Sequence, residues 1–579
     1  MSKATAAEQY TSWIASLTAE ALARRNARLA ALKTPLDVNA WADQTQKWYR
    51  QAVGPLVPIR GEPQKIHCGT IPRDGYRVEK WLLEVFPGTF DPINLYVPDT
   101  PNARGVAIVM PEGHSPEGKA SKDYQNPCAY FAYNGIPTLV YDHSGNGERR
   151  EYWNRVRNES IPGRTPTSEH DCTGDLSTLA GIQPVRWYIT EAARMRDFLA
   201  GFPFAQRDNI GITGVSGGGT MSRYAAAYLG DLAFCIPVCI IRGENGISGG
   251  DAEQNCWDAG VRGVVAVDLL ACTVPHPAMI VTETSFEDTA QSYATLRRIY
   301  DLAGAPAGAT EFFGVADEHG YTHPMAEAVY NFIARQYDLP AANHLAWNHI
   351  RLLPDKDTLT GQTGFVQRDR VQVTLAQQIK RLLPEPAGIT QANLPGVLKI
   401  ADWQRCPVPY TFAGQAGPTV RVTSAVTATE GELGLLDWAE SHTPDWWVGQ
   451  SFLYRSQEAD AARAMLAFGR SLVGLRVRQI LDFLEDHRGK TKCLQADRQW
   501  SVPLVFACAL AGPDLLPRAT VRYLPKSFRS LLDEDLNTTG LGLIVPGLLA
   551  YGDIDDVVAL CGSRLDVQWR VDADGRVVA

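Results

Sequence analysis

The sequence predicts an α/β fold, a mostly parallel sheet with helices on both faces, and three observations predict it. Short apolar runs alternate with helical stretches between residues 106 and 315: VAIVM at 106–110, TLVYD at 138–142, NIGITG at 209–214, FCIPVCII at 234–241, AMIVT at 278–282 and ATEFFGV at 309–315. Runs that are apolar throughout need cover on both faces, as parallel strands do. A glycine-rich turn, GVSGGG at 214–219, sits between one of these strands and a helix. The chain is also 579 residues long, too much for one core, so two main units and an extension are expected.

From the N-terminus, residues 10–52 read as helix, with Trp13, Ile14, Leu17, Leu22 and Leu29 among charged residues. This arm serves packing or a contact between copies in a homodimer. YRVEKWLLEVFP and INLYVP follow as strands on either side of the Pro-Gly turn at 87–88. The alternating region then begins, with a further helix near 184–201 and another from about 219.

Composition narrows the function classes. A formal charge of −9 supplies no basic face for a run of phosphates, so no nucleic-acid partner is expected and a small molecule is. The first residues lack the apolar core of a signal peptide, and no apolar run is long enough to span a bilayer. A soluble cytoplasmic protein without a membrane partner is therefore expected. The cysteines number eleven, an odd count that suits free thiols in a reducing compartment. Cys235 and Cys239 lie close together but lack metal-ligand spacing and read as core thiols.

Ligands of parallel sheets bind beyond the carboxyl ends of the strands, and the chemistry-bearing residues fall there. Gly214-Val215-Ser216-Gly217-Gly218 is a G-x-S-x-G turn between strand and helix. Such a turn exposes the Ser216 hydroxyl and aims the Gly217 N–H at a developing oxyanion. A phosphate-binding turn is the bland alternative, but neither a Walker lysine nor GxGxxG spacing accompanies it. A hydroxyl needs a base, and His319, just past the strand at 309–315, fits that role better than His323.

An acid should orient the imidazole from the loop after the preceding strand, and TETSFEDTA offers Glu287, favoured here, with Asp288 and Glu283 as alternatives. Ser285 and Asp288 also read as a helix cap and first-turn carboxylate, and Glu244 and Asp251 are more distant substitutes. The second oxyanion donor is expected from the loop holding Gly113 and His114, where the His114 side chain could equally just pack. The loop at 142–149 shapes the site, and the glycine-rich segment at 243–250 reads as a lid or a plain connection.

With these residues in place, the chain resembles the bacterial acetyl xylan esterase-like branch of the α/β-hydrolases. The resemblance rests on EGHSPEGK at 112–119, YDHSGNGERR at 141–150, GVSGGG at 214–219, DLLACTVPHPAMIV at 268–281 and HGYTHPMAEAVYNF at 319–332, and covers about residues 20 to 340. It implies an α/β-hydrolase fold and hydrolysis of a carboxylic ester, acetyl among the candidates, through an acyl-enzyme. Ser216 and His319 would be triad members, with Gly217 and the Gly113–His114 loop as oxyanion hole. Neither metal nor organic cofactor is needed for that chemistry. The chain departs from the resemblance in TETSFEDTA, where an Asp followed by aromatic and Pro residues is usual. A serine peptidase or amidase, a non-hydrolytic enzyme and an inactive scaffold are the rival functions.

The last third repeats the plan in degraded form. LRVRQILDFLEDH followed by KCLQADRQWSVPLVFACALAG gives helix, strand, turn and small-residue helix, as the region around Ser216 does. Its turn reads Asp497-Arg498-Gln499-Trp500-Ser501, and no histidine follows His487, so this copy is expected to be non-catalytic. Trp446 and Trp447 read as packing residues before a pocket wall. The expected organisation is a helical arm over 1–55, a catalytic α/β-hydrolase domain over 56–340 and a degenerate α/β-hydrolase-like domain over 341–579.

Overall fold

The structure, a computed structural model, describes residues 6–154, 159–160, 166–241, 251–284, 286–343, 346–370, 372–413, 420–424, 431–434, 457–533, 541–572 and 576–578. Glu244, the glycine-rich segment at 243–250, Ser285, Trp446 and Trp447 lie outside these residues.

The arm is two helices rather than one: α1 spans Ala6–Ala31 and α2 spans Pro35–Val53. Thr34 divides them, its hydroxyl accepting from the Asp37 N–H while the Asp37 carboxylate accepts from the Thr34 N–H. Pro35 at the first helical position cannot continue the preceding ladder. The arm packs rather than projects, since buried Arg25 makes a two-pronged ion pair with Asp268 at 2.7 and 2.8 Å.

Nine strands form the main sheet: β1 Lys65–Pro72, β2 Tyr76–Phe86, β3 Thr89–Pro98, β4 Ala107–Pro111, β5 Thr138–Tyr141, β6 Ile210–Val215, β7 Cys235–Val238, β8 Ala278–Thr282 and β9 Thr310–Gly314. Their spatial order is β1-β2-β3-β5-β4-β6-β7-β8-β9. The first three are antiparallel and every pairing from β5 to β9 is parallel. Every residue of β3, β4, β5, β6, β7 and β8 is buried, as the mainly apolar sequences of β4 to β8 require, and the burial takes in Asp91 and Asn94 of β3 as well. Helices α3 Lys122–Tyr133, α4 Pro166–Leu179, α5 Val185–Leu199, α6 Gly217–Leu229, α7 Phe286–Ala303 and α8 His323–Tyr337 belong to this region.

A six-stranded sheet lies further on, made of β10 Thr411–Ala413, β11 Val420–Ser424, β12 Gly431–Gly434, β13 Thr491–Asp497, β14 Ala519–Arg522 and β15 Leu565–Val567, in the order β10-β12-β11-β13-β14-β15. Only β13, β14 and β15 are mutually parallel. Helices α9 Gln457–Ala467, α10 Leu472–Asp486 and α11 Ser501–Leu510 accompany it. Directly after β13, Arg498 has φ 49°, a positive φ as Ser216 has directly after β6. Ser501 is buried and donates to the Arg522 carbonyl at 2.6 Å, so its hydroxyl is tied to backbone.

One hydrophobic cluster runs through both regions, joining Leu176, Leu179 and Val264 to Met465, Leu466, Val545 and Leu549. Residues 358–378 also reach back to the first sheet: the Thr360 N–H donates to Glu148 and the Leu375 N–H to Glu151.

Candidate active site

Ser216 stands between β6 and α6 with φ 57° and ψ −122°, a conformation that costs a side-chain-bearing residue on the order of 1–3 kcal/mol. Its N–H donates to the Val238 carbonyl on β7 at 2.9 Å, which fixes the turn to the sheet. Gly217 opens α6, where helical N–H groups lack an intrahelical acceptor. The loop after β4 presses against this turn. A Cβ on Gly113 would lie 2.7 Å from the Val215 carbonyl oxygen and 3.2 Å from the Ser216 Cβ, so only glycine fits there.

His319 lies between β9 and α8, and its Nδ1 is 2.7 Å from Oε1 of Glu283, the residue directly after β8. The favoured Glu287 is placed elsewhere: it and Asp288 are exposed in the first turn of α7, where carboxylates complement the helix N-terminus. The acid that meets the imidazole is Glu283, because β8 ends one residue before it and the chain turns into α7 before Glu287. Burial by itself would raise the Glu283 carboxyl, but hydrogen bonds from His319 and Cys239 outweigh that and bring it down to about 2. Cys239, at φ 58° just past β7, is thus a partner of the acid rather than only a core thiol. His323 stacks on Trp347 with ring centroids 4.8 Å apart and packs at the start of α8.

In the loop after β4, the Gly113 N–H donates to the Tyr124 hydroxyl, so its N–H is already used and its role is close approach. Asn146, from the loop after β5, donates to the Gly113 carbonyl at 2.7 Å and to Glu112 at 3.1 Å. Lys119 and Asp142 hold that loop in place through a buried ion pair of 2.7 Å. The His114 imidazole does not pack locally. Its Nε2 lies 2.7 Å from Glu253 Oε1 and 3.1 Å from Asp251 Oδ2. Burial would lower the His114 imidazole, but these two carboxylates raise it to about 10.

Sequence reasoning missed His170 and Glu253, and weighed Asp251 only as a distant triad acid. All of α4 is buried although its sequence, PTSEHDCTGDLSTL, is largely polar. It brings His170 Nδ1 to 3.0 Å from Asp251 Oδ2 and 3.4 Å from Glu253 Oε2. Gly174 permits the approach, since a Cβ there would stand 2.1 Å from the Ala252 Cβ. The Asp171 carboxylate accepts from the Ala252 N–H at 2.9 Å and pairs with Arg463 of α9 at 2.8 Å, so the C-terminal region helps to hold the 251–253 segment. A run of polar residues without helical periodicity was the available signal, and it resembles a surface loop until the fold buries it.

No family model and no curated protein matches this chain. Solved structures do. Methylesterase BT1017 superposes with a TM-score of 0.53 at 20% identity, over 63% of this chain and 78% of its own. Acetyl xylan esterase 1 from Thermoanaerobacterium sp. JW/SL YS485 gives 0.36 at 12% identity over 53% and 96%, and the glucuronoyl esterase from Solibacter usitatus gives 0.37 at 12% identity over 51% and 92%. The nine-stranded, mostly parallel sheet matches the fold of Methylesterase BT1017, and at 20% identity that likeness shows the fold alone.

Proposed function

We propose that this protein is a serine esterase that hydrolyses a carboxylic ester, an acetyl or other short ester being the substrate class, through an acyl-enzyme. The observation that carries the reading is the 2.7 Å Glu283–His319 contact beyond the ends of β8 and β9, taken with a serine held at φ 57° and ψ −122° at the end of β6 in the same parallel sheet. β6, β7, β8 and β9 are consecutive neighbours in the sheet, and Ser216, Cys239, Glu283 and His319 each follow the carboxyl end of one of them, an order that supports a shared site. Glu283 orients and supports the imidazole. His319 takes the Ser216 proton as the hydroxyl attacks the ester carbonyl, and returns it to the leaving alcohol. The Gly217 and His114 N–H groups receive the oxyanion. Water, activated by the same imidazole, then releases the acid.

The likeness to Methylesterase BT1017 supports ester chemistry. The region after residue 340 takes the part of a non-catalytic, degenerate copy, consistent with Arg498 in the turn after β13 and Ser501 bonded to backbone. Intact-mass labelling with a fluorophosphonate tests the reading. One adduct per chain, lost in Ser216→Ala, is expected; labelling that persists in that variant would refute it.

A further inference from the structure

The buried quartet beside the elbow has a composition that a hydrolytic triad does not use. His114 arrives from the loop after β4, His170 from α4, and Asp251 and Glu253 from the segment preceding the helix pair at 259–271. One ligating atom from each lies within 4.8 Å of all the others. The closest approaches of imidazole nitrogen to carboxylate oxygen are 2.7, 3.0, 3.1 and 3.4 Å. Ligands held about 2.0–2.2 Å from a first-row divalent ion stand roughly 2.8–3.5 Å apart in octahedral or tetrahedral arrangements. These four contacts already lie at or near that spacing.

Three further facts point to a ligand. Asp251 and Glu253 side chains are fully buried and His170 equally so. Among the described residues, Asp251 Oδ1 and Glu253 Oε2 have no hydrogen-bond partner, a costly condition for buried carboxylates in an ordinary ion-pair cluster. With both imidazoles neutral, as ligands must be, the two carboxylates present a double negative charge that a divalent cation balances.

We propose that His114, His170, Asp251 and Glu253 form a binding site for a first-row divalent transition-metal ion, zinc being the first candidate. Mixed imidazole and carboxylate donors without thiolate suit zinc, iron or manganese over calcium or magnesium. The site adjoins the elbow: a Cβ on Gly217 would lie 2.8 Å from Glu253 Oε1 and 3.2 Å from His114 Nε2. The ion would add positive charge next to the Gly217 N–H, and that consequence, though not the binding itself, rests on the esterase reading.

Cobalt(II) titration of the full chain, stripped with chelator, tests the site. Expected are visible d–d bands saturating at about one ion per chain, displaced by zinc and without the intense near-ultraviolet charge-transfer band of a thiolate ligand. His170→Ala and Asp251→Ala should each weaken binding by roughly 100-fold or more, while Cys239→Ser should leave it unchanged. That last control separates the quartet from the Cys239–Glu283–His319 group, whose atoms also lie within 4.8 Å of one another. Circular dichroism establishes that each variant is folded, and the wild-type spectrum decides even where a variant is not. Absence of the bands in wild type, a thiolate band, or binding that survives in folded His170→Ala would each overturn the proposal. Fluorophosphonate labelling of Ser216 is independent of all these readouts, so failure of one reading leaves the other standing.

Discussion

The proposed division of labour between Ser216, His319 and Glu283 turns on one carboxylate among three neighbours. Glu283→Gln keeps the shape but loses the charge facing His319 Nδ1, and kcat should fall by about 10,000-fold, whereas Glu287→Gln, in the exposed first turn of α7, should leave ester turnover within about a factor of two. Steady-state kinetics on an aryl acetate measures both. The same carboxylate sets an acid-side stability limb. Its folded value of about 2 lies below the roughly 4.3 of an unfolded glutamate, so its stabilisation is complete above about pH 5 and is lost progressively as pH falls towards 2. Urea unfolding across that window should show a shallower pH dependence in Glu283→Gln than in wild type.

At the scale of elements, α4 depends on how closely it approaches the 251–253 segment. Gly174→Ala places a methyl 2.1 Å from the Ala252 Cβ, and α4 or the segment must shift. A loss of about 1–3 kcal/mol is expected from the urea midpoint, together with weakened ester turnover because His114 loses the placement of its carboxylate partners. Elements whose apolar pattern is local were legible in advance: β8 is AMIVT in both readings, and α5 falls within the expected 184–201. The break between α1 and α2 was written in Thr34-Pro35 with Asp37, a cap signal overshadowed by the apolar spacing on either side. α4 was not legible, because burial of polar residues leaves no periodicity to read.

Across the whole molecule, the shared hydrophobic cluster makes the two sheets interdependent. Arg463→Met removes the buried cation that pairs with Asp171 at 2.8 Å. Breaking such a pair costs about 3–5 kcal/mol. Thermal unfolding of that variant should begin at lower temperature, with ester turnover and helical signal lost together rather than in separate steps. The arm contributes to the same unit, since Tyr10 donates to the Ala461 carbonyl at 2.8 Å and Arg25 pairs with Asp268.

The sequence by itself determined the parallel strands, the elbow around Ser216 and the histidine past the last strand of the main sheet. Each is encoded within a dozen neighbouring residues, as an apolar run, a glycine turn or a strand end. Only the tertiary structure decided that Glu283 rather than Glu287 meets His319, because that depends on where β8 stops and which way the next residues face. It alone assembled His114, His170, Asp251 and Glu253, which lie far apart along the chain and share no local pattern. Local chemistry is written in short segments, whereas a buried cluster of polar groups exists only once packing has taken water away from it.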